Sequence, residues 1–117
     1  MSNACDGFDA IDVVVDWIDA CRTRRLEDLL DLYDAAAFVE CREGGNFRGR
    51  AAMAEYWRPR LASAKAGAFE IDVLAPFGGG VSLDYRDYDG TPVRTLFRFT
   101  ETGKIGQTAC TPIKQAA

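Results

Sequence analysis

Between Asp9 and about Thr23, Ile11, Val14, Val15, Ile18 and Cys21 recur at helical spacing while Asp12, Asp16 and Asp19 fall off that stripe. This predicts an amphipathic helix with one apolar face. Trp17 stands beside the stripe, where an aromatic ring can cap a core edge or line a cavity. After the basic turn Arg22 to Arg25, the residues Leu26, Leu29, Leu30 and Tyr33 repeat the same period, and a second, shorter helix is expected to end near Asp34. Ala35 to Cys41 then becomes β-compatible, and the cluster Glu43-Gly44-Gly45-Asn46 interrupts it. A third helix begins after Gly49 and presents Met53, Tyr56, Trp57 and Leu61 on one side, with a kink or early fraying expected at Pro59.

From Ala68 the period changes to two. Phe69, Ile71 and Val73 alternate with Glu70 and Asp72, and Pro76 to Gly80 reads as a glycine-rich turn. Val81 to Tyr88 forms the next strand, Asp89-Gly90 is a two-residue hairpin signal, and Pro92 to Thr100 follows. Thr102-Gly103 marks a tight connection into Ile105 to Pro112. No internal repeat, linker or low-complexity tract divides the chain, so residues 1–117 read as one domain with an ordered core over about 9–112.

If Asp89 and Gly90 are the two turn residues, Arg86 faces Val93, Asp84 faces Thr95 and Ser82 faces Phe97. One sheet face then carries Ser82, Asp84, Arg86, Tyr88, Val93, Thr95, Phe97 and Phe99, and the other carries Leu83, Tyr85, Arg94, Leu96 and Arg98. Both faces mix large apolar and charged groups. One is expected to meet the helices and the other a partner.

Length and charge narrow the function classes. A chain of 117 residues buries about two thirds of its unfolded surface, enough for one core without staples. The four cysteines, Cys5, Cys21, Cys41 and Cys110, are widely spaced with no C-x-x-C pair, so they signal neither a metal site nor a redox motif. Reduced thiols in a cytoplasmic protein are the expectation, and the opening MSNACDGFDA carries no signal-peptide pattern. No apolar run approaches a membrane span. The net charge of −4, with both signs mixed along the chain, offers no basic stripe for nucleic acid. Histidine is absent. Any acid or base must therefore be Asp, Glu, Cys, Tyr or Lys, and Ser-His-Asp and Cys-His machinery is excluded.

The order of these elements, the F-V-E-C strand, the F-x-G-R-x-A-M entry to the third helix, and Phe97-Arg98-Phe99 followed by Gly103-Lys104-Ile105 resemble the nuclear transport factor two-like superfamily. The resemblance is to its SnoaL-like and ketosteroid isomerase-like members and spans about Asp9 to Pro112. It implies an α+β cone: a strongly curved antiparallel sheet wrapped around about three helices, enclosing a pocket that opens at one end. Many members pair through the outer sheet face, and a homodimer is expected here through the face that the register assigns to Leu83, Tyr85, Leu96 and the stems of Arg94 and Arg98, since that much exposed apolar area would be unusual on a monomer. Carried over residue by residue, the isomerase tyrosine falls on Trp17, its aspartate base on Cys41 and its protonated acid on Thr95. None of the three keeps its chemistry.

Inside the implied cone stand Trp17, Cys41, Tyr56, Trp57, Thr95, Phe97, Thr108 and Cys110, an aromatic lining with a few polar groups suited to a small apolar ligand. Asp84 and Arg86 are the candidate catalytic pair, since some epoxide-opening members of the superfamily activate water with Asp and Arg on neighbouring strands. Glu40 and Asp87 read as solvated charge, and Arg48 and Arg50 as fold-stabilising. Cys41 reads as a small buried hydrophobe rather than a nucleophile. No cofactor or metal is implied. Two functions follow: a pocket protein that binds, or acts on, a small hydrophobic metabolite, or a non-catalytic dimerisation module whose cavity is filled by its own side chains. An enzyme built on this chain would be an isomerase, cyclase or hydrolase lacking the usual carboxylate base.

Overall fold

The computed structural model describes residues 9–113. Helix α1 (Ala10–Arg22) is capped by Asp9, whose carboxylate accepts from the Ile11 amide at 3.0 Å. Helix α2 (Leu26–Asp31) is short, and strand β1 (Tyr33–Glu40) follows almost at once. Tyr33 therefore opens a strand rather than closing a helix, and its side chain turns into the core. A turn through Gly44 leads to β2 (Asn46–Arg48), a short strand that sequence periodicity had not indicated.

Gly49 then takes φ 88° and ψ 161°, a region open essentially to glycine alone, and launches α3 (Arg50–Ala62). This gives the F-x-G-R motif its physical meaning: the backbone reverses from strand to helix at one residue without a Cβ. Helix α3 continues past Pro59 to Ala62. Strands β3 (Ile71–Phe77), β4 (Gly80–Arg86), β5 (Pro92–Phe99) and β6 (Ile105–Pro112) complete the chain. Pro76 lies within β3 on the sheet edge, where its missing N–H costs no ladder bond. The β3–β4 turn is correspondingly tighter than Pro76 to Gly80.

The six strands form one open sheet in the order β2-β1-β6-β5-β4-β3. The sheet is mixed rather than wholly antiparallel, because β1 and β6 run parallel. Its inner face closes on α1 and α3 around Val14, Trp17, Ile18, Met53, Trp57, Leu83, Tyr85 and Phe97.

The β4–β5 register differs from the sequence expectation by one residue. Val81 pairs with Phe97, Leu83 with Thr95, Asp84 with Arg94 and Tyr85 with Val93. The cause is the turn: the Asp87 amide donates to the Thr91 carbonyl at 2.9 Å, leaving Tyr88, Asp89 and Gly90 as a three-residue loop, with Gly90 at φ 87°. A one-residue slip turns every β4 side chain to the opposite face. Leu83 and Tyr85 thus belong to the core, whereas Asp84 and Arg86 face away from the helices.

Candidate functional site

The middle of the cone is built around Trp17. Its ring meets Trp57, Tyr85 and Phe97 edge-on, with centroids 5.5, 5.6 and 5.0 Å away. Its indole N–H donates to the Tyr33 hydroxyl at 3.1 Å, and that hydroxyl lies 3.0 Å from Thr108 Oγ1. A second such pair joins Tyr85 Oη and Thr95 Oγ1 at 3.0 Å. Burial holds both tyrosines neutral by pushing their hydroxyls above the ordinary range. Thr95 and Thr108 are thereby occupied by tyrosines within the core. The buried Trp57 indole also faces the Tyr33 hydroxyl, at a geometry short of a full hydrogen bond.

Polar chemistry gathers where the chain leaves β1 and β4. Strand alternation continues past β4, so Asp87 turns inward with Leu83 and Tyr85 and is only 5% exposed. Its Oδ1 accepts from the Tyr88 amide at 2.8 Å, and its Oδ2 accepts from Arg42 Nη1 at 2.7 Å. Arg42 comes from the tight β1–β2 turn, in which the Gly44 amide donates to the Cys41 carbonyl at 2.9 Å. The same guanidinium donates to Asp89 Oδ2 at 2.6 Å.

The two carboxylates respond in opposite directions. Burial raises the Asp87 pKa despite its bonds to the Tyr88 amide and Arg42. The hydrogen bond from Arg42 lowers that of Asp89, well below the usual carboxylate range. The Asp87 charge in turn helps to raise the pKa of Tyr56, Tyr85 and Cys110.

Around this pair stand Arg60, with its guanidinium carbon 3.9 Å from the Tyr56 ring centroid and 5.5 Å from that of Tyr88, and Cys41, whose Sγ lies 3.8 Å from Arg60 Nη2. An open cleft of about 400 Å³ lies at this end, lined by Cys41, Arg42 and Cys110 together with Glu40, the 44–46 turn, Ala109 and Thr111. We refer to this end of the sheet as the mouth.

Of the residues expected to line a pocket, Trp17, Trp57, Thr95, Phe97 and Thr108 come together as the filled centre of the cone. Cys41, Tyr56 and Cys110 come together at the mouth. Asp84 and Arg86 join neither group. Asp84 forms a two-point pair with Arg94, at 2.7 and 2.9 Å, on the outer face. Arg48 and Arg50 stabilise the fold: Arg48 donates to the Ala36 carbonyl, and Arg50 pairs with Glu27 and Asp31. Asp87, read from the sequence as solvated charge, is instead buried against Arg42, and Arg42 and Arg60 had not been singled out as site residues. The D-Y-D-G-T stretch held the missing signal, since a three-residue loop closed by glycine sends Asp87 inward.

No protein-family model matches the chain, and no curated protein does. Solved structures do. A SnoaL-like protein of unknown function from Burkholderia thailandensis superposes with a TM-score of 0.81 at 20% identity, covering 90% of this chain and 95% of that one. The fold is the nuclear transport factor two-like cone in its SnoaL-like form. A candidate polyketide cyclase from Sinorhizobium meliloti shares this cone with a TM-score of 0.73 at 21% identity, over 86% of this chain and 94% of that one. So does a nuclear transport factor two-like protein of unknown function from Cytophaga hutchinsonii, with a TM-score of 0.73 at 13% identity over 97% and 95% of the two chains. In this SnoaL-like cone, no helix among the described residues is long and apolar enough to cross a membrane.

Proposed function

We propose that this SnoaL-like cone binds, or acts on, a small hydrophobic metabolite at its mouth, with Asp87 as the acid–base group and Arg42 as its charge partner. The observation that carries the reading is the burial of the Asp87–Arg42 pair. Removing two charges from water is costly, and an apolar pair of similar volume would serve the fold as well or better. A buried carboxylate with a raised pKa, held by an arginine that lines an open cleft, is the kind of group that exchanges protons with a bound molecule. In a chain without histidine it is also the natural candidate for that task. Cyclisation, the chemistry in the name of one similar structure, and isomerisation both rest on such proton transfers.

Titration of the protein with small apolar carbonyl compounds, followed by tryptophan fluorescence, tests the proposal. Asp87→Asn should weaken binding or abolish turnover while the fold persists. Unchanged affinity and turnover in that variant would refute the role of Asp87.

A second reading draws on the packing around Trp17. Four aromatic rings in edge contact fill the centre of the cone, as in a non-catalytic interaction module. Under either reading we infer a homodimer through the outer sheet face, although its contact residues differ from those the sequence suggested. Leu83 and Tyr85 are core residues, and the face instead presents Leu96, Arg94 and Arg98, together with Val73 and Phe77, each 55% exposed. Exposed apolar side chains beside a self-complementary Asp84–Arg94 pair favour a second copy as the occupant.

A further inference from the structure

Cys41 and Cys110 leave neighbouring strands at the same level. In the parallel β1–β6 pairing, Val39 is registered with Thr108 and Glu40 with Ala109, so the residue that follows each of the latter two is a cysteine, Cys41 just past the end of β1 and Cys110 within β6. Side chains alternate along both strands. Val39 and Thr108 point into the core, Glu40 and Ala109 point outward, and Cys41 and Cys110 therefore share the inner face. Adjacent strands lie about 4.8 Å apart, within the roughly 4.4–6.8 Å Cα separation that a disulfide spans. Both residues are free thiols and both line the cleft at the mouth.

The two sulfurs are not equivalent. Cys41 is half-buried at the rim of the cleft, with Arg60 Nη2 3.8 Å and Glu43 Oε1 3.9 Å from its Sγ. Cys110 is buried, and burial pushes its thiol up to about 11, so it reacts slowly with anything in solution. Cys21 is buried on α1.

We propose that Cys41 and Cys110 are a thiol-modification site that closes to a reversible disulfide when the protein meets a hydroperoxide. The Cys41 thiolate attacks the peroxide, the O–O bond breaks, and a sulfenic acid forms with release of water or alcohol. The Cys110 sulfur then displaces the sulfenic oxygen, and the Cys110 proton leaves with it as water. Each sulfur gives up one electron, and the pair reduces one peroxide. A dithiol reductant restores both thiols by exchange. The bridge would tie the end of β1 to β6 across the cleft.

The test is treatment of the whole native protein with stoichiometric hydrogen peroxide, followed by intact-mass measurement and non-reducing tryptic mapping. The expected product is about 2 Da lighter and yields a linked pair of peptides, 26–42 and 105–114, each of which contains a single cysteine. Cys21→Ser should leave the link intact. Cys110→Ser should abolish it and leave a sulfenic acid on Cys41 that dimedone traps. Over-oxidation of Cys41 without a link in the native protein, or a link to any other cysteine, would overturn the proposal.

Discussion

Arg42 Nη1 lies 2.7 Å from Asp87 Oδ2, which strand alternation turns into the cone, and the other end of the guanidinium lies 2.6 Å from Asp89 Oδ2 at the rim. One cation thus serves an inner and an outer carboxylate. The inner one lost most of its water on folding, so the fold depends on Arg42 far more than on an ordinary surface pair.

Arg42→Met should therefore destabilise the protein by about 3–5 kcal/mol at pH 7, because it strands a buried carboxylate. Asp87→Asn should cost less. Burial already raises the Asp87 pKa, and without Arg42 the protonated form becomes still easier to reach. The Arg42→Met deficit should therefore shrink as pH falls. Urea denaturation at two pH values measures both effects.

Asp89 should behave in the opposite sense to its neighbour. Its folded-state pKa is held below the unfolded value, chiefly by Arg42, so its contribution is complete above the ordinary carboxylate range and is lost progressively as pH falls from that range to the lower folded-state value. Asp89→Asn should cost about 1–2 kcal/mol at neutral pH, and its stability curve should converge on that of the parent protein in acid. A pH series of thermal melts shows whether the curves meet.

The Trp17–Tyr33–Thr108 chain is expected to act as a unit. Tyr33→Phe leaves both the Trp17 N–H and the Thr108 hydroxyl without their partner, at a cost of about 1–3 kcal/mol. Thr108→Val added to Tyr33→Phe should then cost less than it does in the parent protein. Strict additivity in a double-mutant cycle would show that the three groups are independent.

The outer face should support self-association. Leu96→Asp places a charge among Val73, Phe77 and the Arg94 and Arg98 stems, and sedimentation velocity at micromolar concentration should show the variant shifted from dimer toward monomer. A parent protein that sediments only as monomer contradicts the homodimer.

The helices and the longer strands were legible because each rests on local periodicity or on one demanding residue, such as Gly49, and the cone followed only from the family resemblance that their order carries; the three-residue β2 left no such mark. The face of β4 was not. It depends on whether two or three residues fill the loop before Thr91, and Asp89-Gly90 satisfies both turn geometries. That ambiguity exchanged the roles of neighbouring acids, sending Asp84 to the outer face and Asp87 to the interior. The parallel β1–β6 pairing was equally hidden, since it joins the third element of the chain to the last and leaves no local mark. The same pairing brings Cys41 level with Cys110, although 68 residues separate them in the numbering.

Native mass spectrometry of freshly purified protein, with Asp87→Asn measured beside it, tests the pocket at the mouth most directly. The parent protein should carry a small apolar molecule that the variant loses or holds more weakly, while both remain folded at the same temperature. An empty parent protein, or a molecule retained equally by both, would contradict an Asp87-centred site and leave the filled cone as an interaction module.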